Sequence, residues 1–154
     1  MNLENVRNYP QALIAIRPSR ILKGECGVFA LRALKKGTTI TRAEDFNESI
    51  FISWKEFTKL DRITQKRLKM FCAQYPDGIC APKNINNLTI IWHINHSCNP
   101  NVYMNKKGDY AALAAIKRGE ELTIDFLDFE KSLAFKMNCK CGSTNCRKII
   151  QGKP

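Results

Sequence analysis

The stretch INHSCNPN, residues 94–101, sets a histidine beside a cysteine, and near the end of the chain Cys139, Cys141 and Cys146 stand at C-x-C-x4-C spacing. Thiolates are soft donors, and a closed tetrahedral set with bonds of about 2.3 Å is what Zn2+ takes in structural sites. Three sulfurs leave one coordination position open. Cys98 and His96 are both available to fill it, and either would tie the end of the chain to its middle. Gly142 and Asn145 lie inside the cluster, where a tight turn around a metal calls for positive φ. The remaining cysteines, Cys26, Cys72 and Cys80, read as small buried hydrophobes. Seven cysteines leave one over in any disulfide scheme, which favours thiols and metal ligands in a reducing compartment.

These residues must be positioned by a small frame. A chain of 154 residues is about one domain. No apolar run approaches the roughly 20 residues that span a bilayer, and the start, MNLENVRNYPQAL, lacks the pattern of a secretory signal. The expectation is a cytoplasmic or nuclear protein, neither secreted nor membrane-bound. The net charge is +11, from 25 Lys and Arg against 14 Asp and Glu. That balance attracts phosphates or acidic protein surfaces. The densest basic stretch, Lys55, Lys59, Arg62, Lys66, Arg67 and Lys69, reads first as the solvated face of a helix.

Residues 11–16 and 26–32 suit short strands, with turns at Pro18-Ser19, Lys23-Gly24 and Lys35-Lys36-Gly37, and a further strand near 38–41. One helix is predicted over about 53–75. Ser53 and Glu56 form a capping box, Phe57, Leu60, Leu68 and Phe71 recur at helical spacing, and Pro76-Asp77-Gly78 ends it. Short apolar stretches follow at 88–92, 101–104, 110–116 and 121–126. One helix among many short strands makes a β-rich α+β fold with an inserted helix.

Asn95-His96-Ser97-Cys98-Asn99-Pro100-Asn101, then Gly119-Glu120-Glu121-Leu122-Thr123-Ile124-Asp125-Phe126, then the C-x-C-x4-C tail followed by Arg147, resemble in order and spacing the motifs of SET-domain protein lysine methyltransferases. Gly27-Val28-Phe29-Ala30 resembles the first motif of that family. The resemblance covers most of residues 14–148. It implies a SET domain over 11–128, built of short strands in several small sheets, and a zinc-binding post-SET segment over 135–150. It also implies methyl transfer from S-adenosylmethionine to a lysine amine, with donor and peptide meeting through a narrow channel. By the same resemblance Asn95 and His96 hold the cofactor, the loop Glu25, Cys26, Gly27, Val28 and Phe29 presents backbone to its methionine end, and Cys98 is the fourth zinc ligand beside Cys139, Cys141 and Cys146. The implied partner is a lysine-bearing protein such as a histone, with nucleosomal DNA or RNA as a further contact for the basic surface.

The chain departs from the family pattern at Phe126, where the catalytic tyrosine belongs and where the donor is also contacted. Tyr103 or Tyr75 would have to supply the missing hydroxyl. Ile124 stands where an aromatic residue commonly limits how many methyl groups are added. Two other readings follow from these departures and from the charge. One is a SET-like module that binds cofactor or lysine peptide with poor turnover, and the other is a small zinc-stabilised nucleic-acid binder.

Overall fold

The computed structural model describes residues 11–43 and 49–153. The chain start weighed as a signal falls outside this range up to residue 10, as do residues 44–48 of the expected domain. Among the described residues the fold is β-rich, with twelve short strands in four small sheets. The main sheet runs β1 (Ile14–Pro18), β2 (Cys26–Ala30), β10 (Glu121–Ile124), β7 (Asn95–His96). β2 is antiparallel to both β1 and β10, whereas β7 lies parallel to β10, with Thr123 opposite Asn95 and Ile124 opposite His96. Two motifs far apart in sequence thus become neighbours in one sheet. Val28, Leu122 and Ile124 fill the core beneath it with Ile94, Val102 and Ile116. All four residues of β10 are buried, as a strand with neighbours on both edges requires.

A second sheet pairs β3 (Thr39–Thr41), β9 (Tyr110–Ala112) and β8 (Val102–Met104). The third joins β4 (Ser49–Ser53), β6 (Gly78–Pro82) and β5 (Ala73–Gln74), and carries the helical insertion on a separate cluster of Phe57, Leu68, Cys72, Ile79 and Ala81. Trp92 packs against both clusters and joins them.

The insertion is two helices rather than one. The Ser53–Glu56 capping box forms, but α1 ends after one turn (Trp54–Phe57). Asp61 then caps a new helix, α2 (Arg62–Phe71), by accepting from the backbone N–H groups of Ile63 and Thr64. Apolar spacing alone does not register such a break, because the second cap restarts the helix with Leu68 still facing inward. The expected helix also stops short of residue 75. Cys72 turns extended, and the chain enters β5 to pair with β6. The basic residues of this insertion are solvent-exposed, as expected. The stretch at 88–92 forms a 3-10 turn, Ile90–His93, rather than a strand, with Ile91 buried. Pro18 belongs to β1 instead of a turn. Cys26, expected inside, is exposed because it opens β2 opposite Pro18, where the sheet gives way to the loop.

Candidate metal and cofactor site

The tail forms its own two-stranded sheet, β11 (Lys136–Asn138) with β12 (Ile149–Gln151), anchored by the fully buried Ile150. The Cys139 N–H donates to the Lys148 carbonyl at 2.7 Å, so the cysteine loop is the end of this hairpin. Gly142 takes φ +70°, as the turn requires. Asn145 does not. The non-glycine residue with positive φ among those described is Lys148, at 63°, while the Asn145 amide donates to the Cys98 carbonyl at 3.2 Å. Asn145 therefore serves by its side chain, tying the loop to β7.

The sulfurs of Cys98, Cys139, Cys141 and Cys146 all lie within 4.8 Å of one another. Cys98 and Cys139 are 3.7 Å apart. Tetrahedral bonds of about 2.3 Å would separate two sulfurs by about 3.8 Å, so the donor set fits Zn2+ in both chemistry and spacing. Burial pushes the Cys139 thiol up to about 12. At Cys141 burial pushes the same way, but the backbone N–H of Cys98 and the Ser143 hydroxyl outweigh it and bring the thiol down to about 5. The contacts around Cys141 therefore favour an anionic sulfur, which suits a cation site.

Cys98, rather than His96, completes the set of four, and two further groups fix its sulfur. Arg147 donates to it from its backbone N–H at 3.3 Å and its Nε at 3.4 Å, while Nη2 reaches both carboxylate oxygens of Asp125 at 2.7 and 2.8 Å. His96 is buried, and its Nδ1 accepts the Phe126 backbone N–H at 3.1 Å. Burial lowers its pKa against the opposing pull of Asp125. The neutral ring therefore carries its proton on Nε2, 3.4 Å from Cys98 Sγ, where it donates to the sulfur. His96 lies where it can position the Cys98 sulfur. His96→Phe keeps the ring's bulk and removes that donor, and zinc affinity is expected to fall about 10- to 100-fold, measured by competition with a chromogenic chelator.

On the other edge of β7, the Asn95 amide nitrogen lies 2.9 Å from the Cys26 carbonyl, 3.0 Å from Glu121 Oε1 and 3.1 Å from Ser19 Oγ. Glu121 also accepts from Ser19 Oγ and the Arg20 N–H, each at 2.8 Å. This buried carboxylate holds the loop between β1 and β2 against the strand that carries Asn95. Gly27 is needed here because a Cβ would overlap Glu121 Oε1 and come within 3.2 Å of Asn95 Nδ2. Glu25 and Cys26 are exposed, while Val28 and Phe29 are buried in a strand paired on both sides. Asn101 completes the arrangement: its side chain donates to the Glu121 carbonyl and accepts from the Thr123 N–H, both at 2.9 Å, binding the loop after Cys98 to β10.

Phe126 and Ile124 line one wall of a cleft of about 530 Å³, with Tyr75, Trp92, Tyr110 and Phe129 among the other side chains. The Phe126 ring lies 5.3 Å from that of His96, so the cleft wall packs beside the residue that neighbours the thiol cluster. Tyr103 does not line the cleft. It sits in β8 opposite Ala111, whereas Tyr75 and Tyr110 bring hydroxyl-bearing rings to the lining. Sequence reasoning gave no role to Tyr110, which lines the cleft, nor to the contacts of Ser19, Glu121, Asp125 and Arg147. Glu121, Asp125 and Arg147 lie inside or beside the recognised motifs, so the signal was present, but their partners depend on which strands pair.

A family model for the SET domain matches residues 25–127. A histone-lysine N-methyltransferase from Candida albicans, named as H3 lysine-36 specific, is 40% identical over 67 residues, which is 39% of this chain and 8% of the relative. Histone-lysine N-methyltransferase ASHH3 of Arabidopsis thaliana is 36% identical over 69 residues, covering 40% of this chain and 18% of its own. Trithorax of Drosophila virilis, another histone-lysine N-methyltransferase, is 43% identical over 65 residues, 37% of this chain and 2% of its own. The chain thus spans less than a fifth of the length of these relatives. With Asn95 and His96 laid beside Thr123 and Ile124, and with the matched region covering well over half of the sequence, the chain belongs to the SET-domain family.

Proposed function

We propose that the chain is an S-adenosylmethionine-dependent protein-lysine N-methyltransferase acting on histones or other basic proteins in the nucleus or cytoplasm. The observation that carries this reading is the junction at residues 95–98. There one strand holds the β1–β2 loop on one side and a four-thiol cluster on the other, with Phe126 packed against it. The histone-lysine N-methyltransferase names of the relatives support the substrate class.

When bound, S-adenosylmethionine would supply a methyl group on a sulfonium, which passes to a neutral amine as the C–S bond breaks and the thioether leaves. The chain's loop chemistry fits its zwitterionic end. Gly24 turns at φ +85°, and the Arg20 guanidinium is held 5.4 Å over the Phe29 ring as a cation for a carboxylate. Asn95, Glu25, Cys26 and Gly27 would border that end, with Val28 and Phe29 as the strand behind them. His96 and the zinc-tied tail would close over the remainder. The apolar wall of Ile124 and Phe126 disfavours an ammonium and so favours the reactive neutral lysine. Ile124 offers no hydroxyl to hold a water beside a methylated amine, which favours addition beyond one methyl group. The exposed basic residues of the insertion offer a contact for nucleosomal DNA or RNA.

Phe126 supports one alternative, a module that binds cofactor or lysine peptide but turns over weakly. Labelled-methyl transfer to a panel of histones and other basic proteins, run beside Phe126→Tyr, separates the two. The wild-type chain is expected to transfer label, and the tyrosine variant to raise kcat by about tenfold or more through one oriented hydroxyl. A silent wild type beside an active variant supports the binding module. Silence from both, despite donor binding, overturns the enzyme reading.

A further inference from the structure

The cleft lined by Ile124 and Phe126 has one acidic side chain among its described lining residues, Glu130. Its position is fixed by the backbone: the Glu130 N–H donates to the Phe126 carbonyl at 2.8 Å, one turn after the residue that walls the cleft. The residue is only 5% exposed, and its Oε2 accepts the Gln74 N–H at 2.9 Å. No cation among the described residues forms an ion pair with it. The other charged lining residue, Lys69, holds its ammonium 5.4 Å over the Phe57 ring. A carboxylate kept in an aromatic, apolar wall without a cationic partner is costly unless it takes up a proton or meets a cation.

We propose that Glu130 is a specificity-determining residue that draws an unbranched alkylammonium, the side chain of the target lysine, into this cleft. The inference rests on the reading of the cleft as the lysine side of a methyltransferase, and it adds the residue that selects for charge. Three features support that ligand class. The lining rings of Tyr75, Trp92, Tyr110, Phe126 and Phe129 suit an aliphatic stem. The volume admits a side chain with its flanking peptide. The lone carboxylate lies deep in the wall rather than at a solvated rim. Recognition and reaction then use different protonation states. Glu130 acts on the charged form as it enters, and the apolar wall beside Ile124 favours the neutral form.

The pairing depends on pH through Glu130 itself. Burial raises its carboxyl to about 7, so the anion prevails above that pH and the neutral acid below it. The groups around it are Lys69 and Cys72 from α2 and its end, Tyr75 after β5, Cys80 on β6, Tyr110 on β9, His93 edge-on to Phe71, and Asp128 and Lys131 on its own stretch. Burial pushes Cys72 up to about 12 and raises Tyr75 and Tyr110, so these stay neutral between pH 5.5 and pH 8.5. Burial and then Arg67 lower His93, which leaves it uncharged over most of that range.

The test measures binding of hexylammonium and of neutral hexanol to the zinc-loaded chain by NMR titration, at pH 8.5 and pH 5.5, for the wild type and Glu130→Gln. Glutamine keeps an oxygen for the Gln74 N–H. The wild type is expected to prefer hexylammonium by about tenfold at pH 8.5 and by less than about twofold at pH 5.5, and Glu130→Gln to show no preference at either. Equal affinities in the wild type at pH 8.5, or a preference retained in the variant, overturn the proposal. The two-pH comparison on wild type stands by itself if the variant does not fold. No methyl transfer is read, so the outcomes separate. A charge preference without transfer to any protein sinks the methyltransferase reading alone, while transfer without charge preference sinks the role of Glu130 alone.

Discussion

Cys98→Ser is expected to yield protein with less than about a tenth of an equivalent of zinc and with S-adenosylmethionine affinity reduced about 100-fold or more. A serine hydroxyl is a harder donor that stays protonated at neutral pH, and three thiolates do not close a tetrahedral site. The loss extends beyond one bond. Arg147 donates twice to the Cys98 sulfur while its guanidinium is held by Asp125, and the Cys98 backbone N–H points at Cys141 Sγ. These contacts and the Asn145 bond to the Cys98 carbonyl are where the cysteine loop meets β7. Neither hydrophobic cluster contains a residue from 139–148, so the core should survive and the circular dichroism change little. Metal content by plasma mass spectrometry, beside calorimetry with the donor, checks both parts. A variant that kept its zinc would mean that Cys98 is not a ligand.

Gly27→Ala is expected to destabilise the chain by about 2–4 kcal/mol and lower its melting temperature by roughly 5–15 °C. The new methyl would stand 2.9 Å from Glu121 Cδ and overlap its Oε1. A long side chain on a surface would swing aside. Glu121 is buried and accepts from Ser19 Oγ, the Arg20 N–H and the Asn95 amide, so its retreat strips Ser19 Oγ and the Arg20 N–H of this acceptor and leaves the Asn95 amide with only the Cys26 carbonyl and Ser19 Oγ. Donor affinity should fall with stability, because the same carboxylate holds the β1–β2 loop in place. Gly24→Ala is the comparison. Nothing lies within 4 Å of its would-be Cβ, so only its φ of +85° is strained, and the expected cost is about 1–2 kcal/mol. Thermal denaturation of both variants checks the order. Gly24→Ala proving the more damaging would mean that the Glu121 contact does not matter.

The parts of this molecule legible in the sequence are those with their own local chemistry. The C-x-C-x4-C spacing points to a cluster of sulfurs, and the motif resemblance adds Cys98 as a fourth, which lies 3.7 Å from Cys139 in a group of four that could hold a metal ion. The Ser53–Glu56 box announced a helix start. Less legible were features that arise only when distant segments meet. The apolar spacing over 53–75 does not register the break at which the Asp61 carboxylate caps a second helix. Asn101 reads as a turn residue, yet it hydrogen-bonds β10 like an added strand. Tyr103 and Tyr75 both read as sources of the missing hydroxyl; Tyr75 lines the cleft, whereas Tyr103 does not, and Tyr110 on the neighbouring strand does. Glu130 gives no sequence signal, because its burial depends on how the stretch after Phe126 folds back toward Gln74.

One titration bears on all of this at once: S-adenosylmethionine into the wild-type chain by calorimetry, first loaded with one equivalent of zinc and then stripped by chelator under reducing conditions. Saturable binding of one donor per chain, lost on stripping and regained on reloading, is the result expected if the zinc-tied tail closes the donor site. Equal affinity in the loaded and stripped samples, with the zinc shown to be present and then absent, would contradict it.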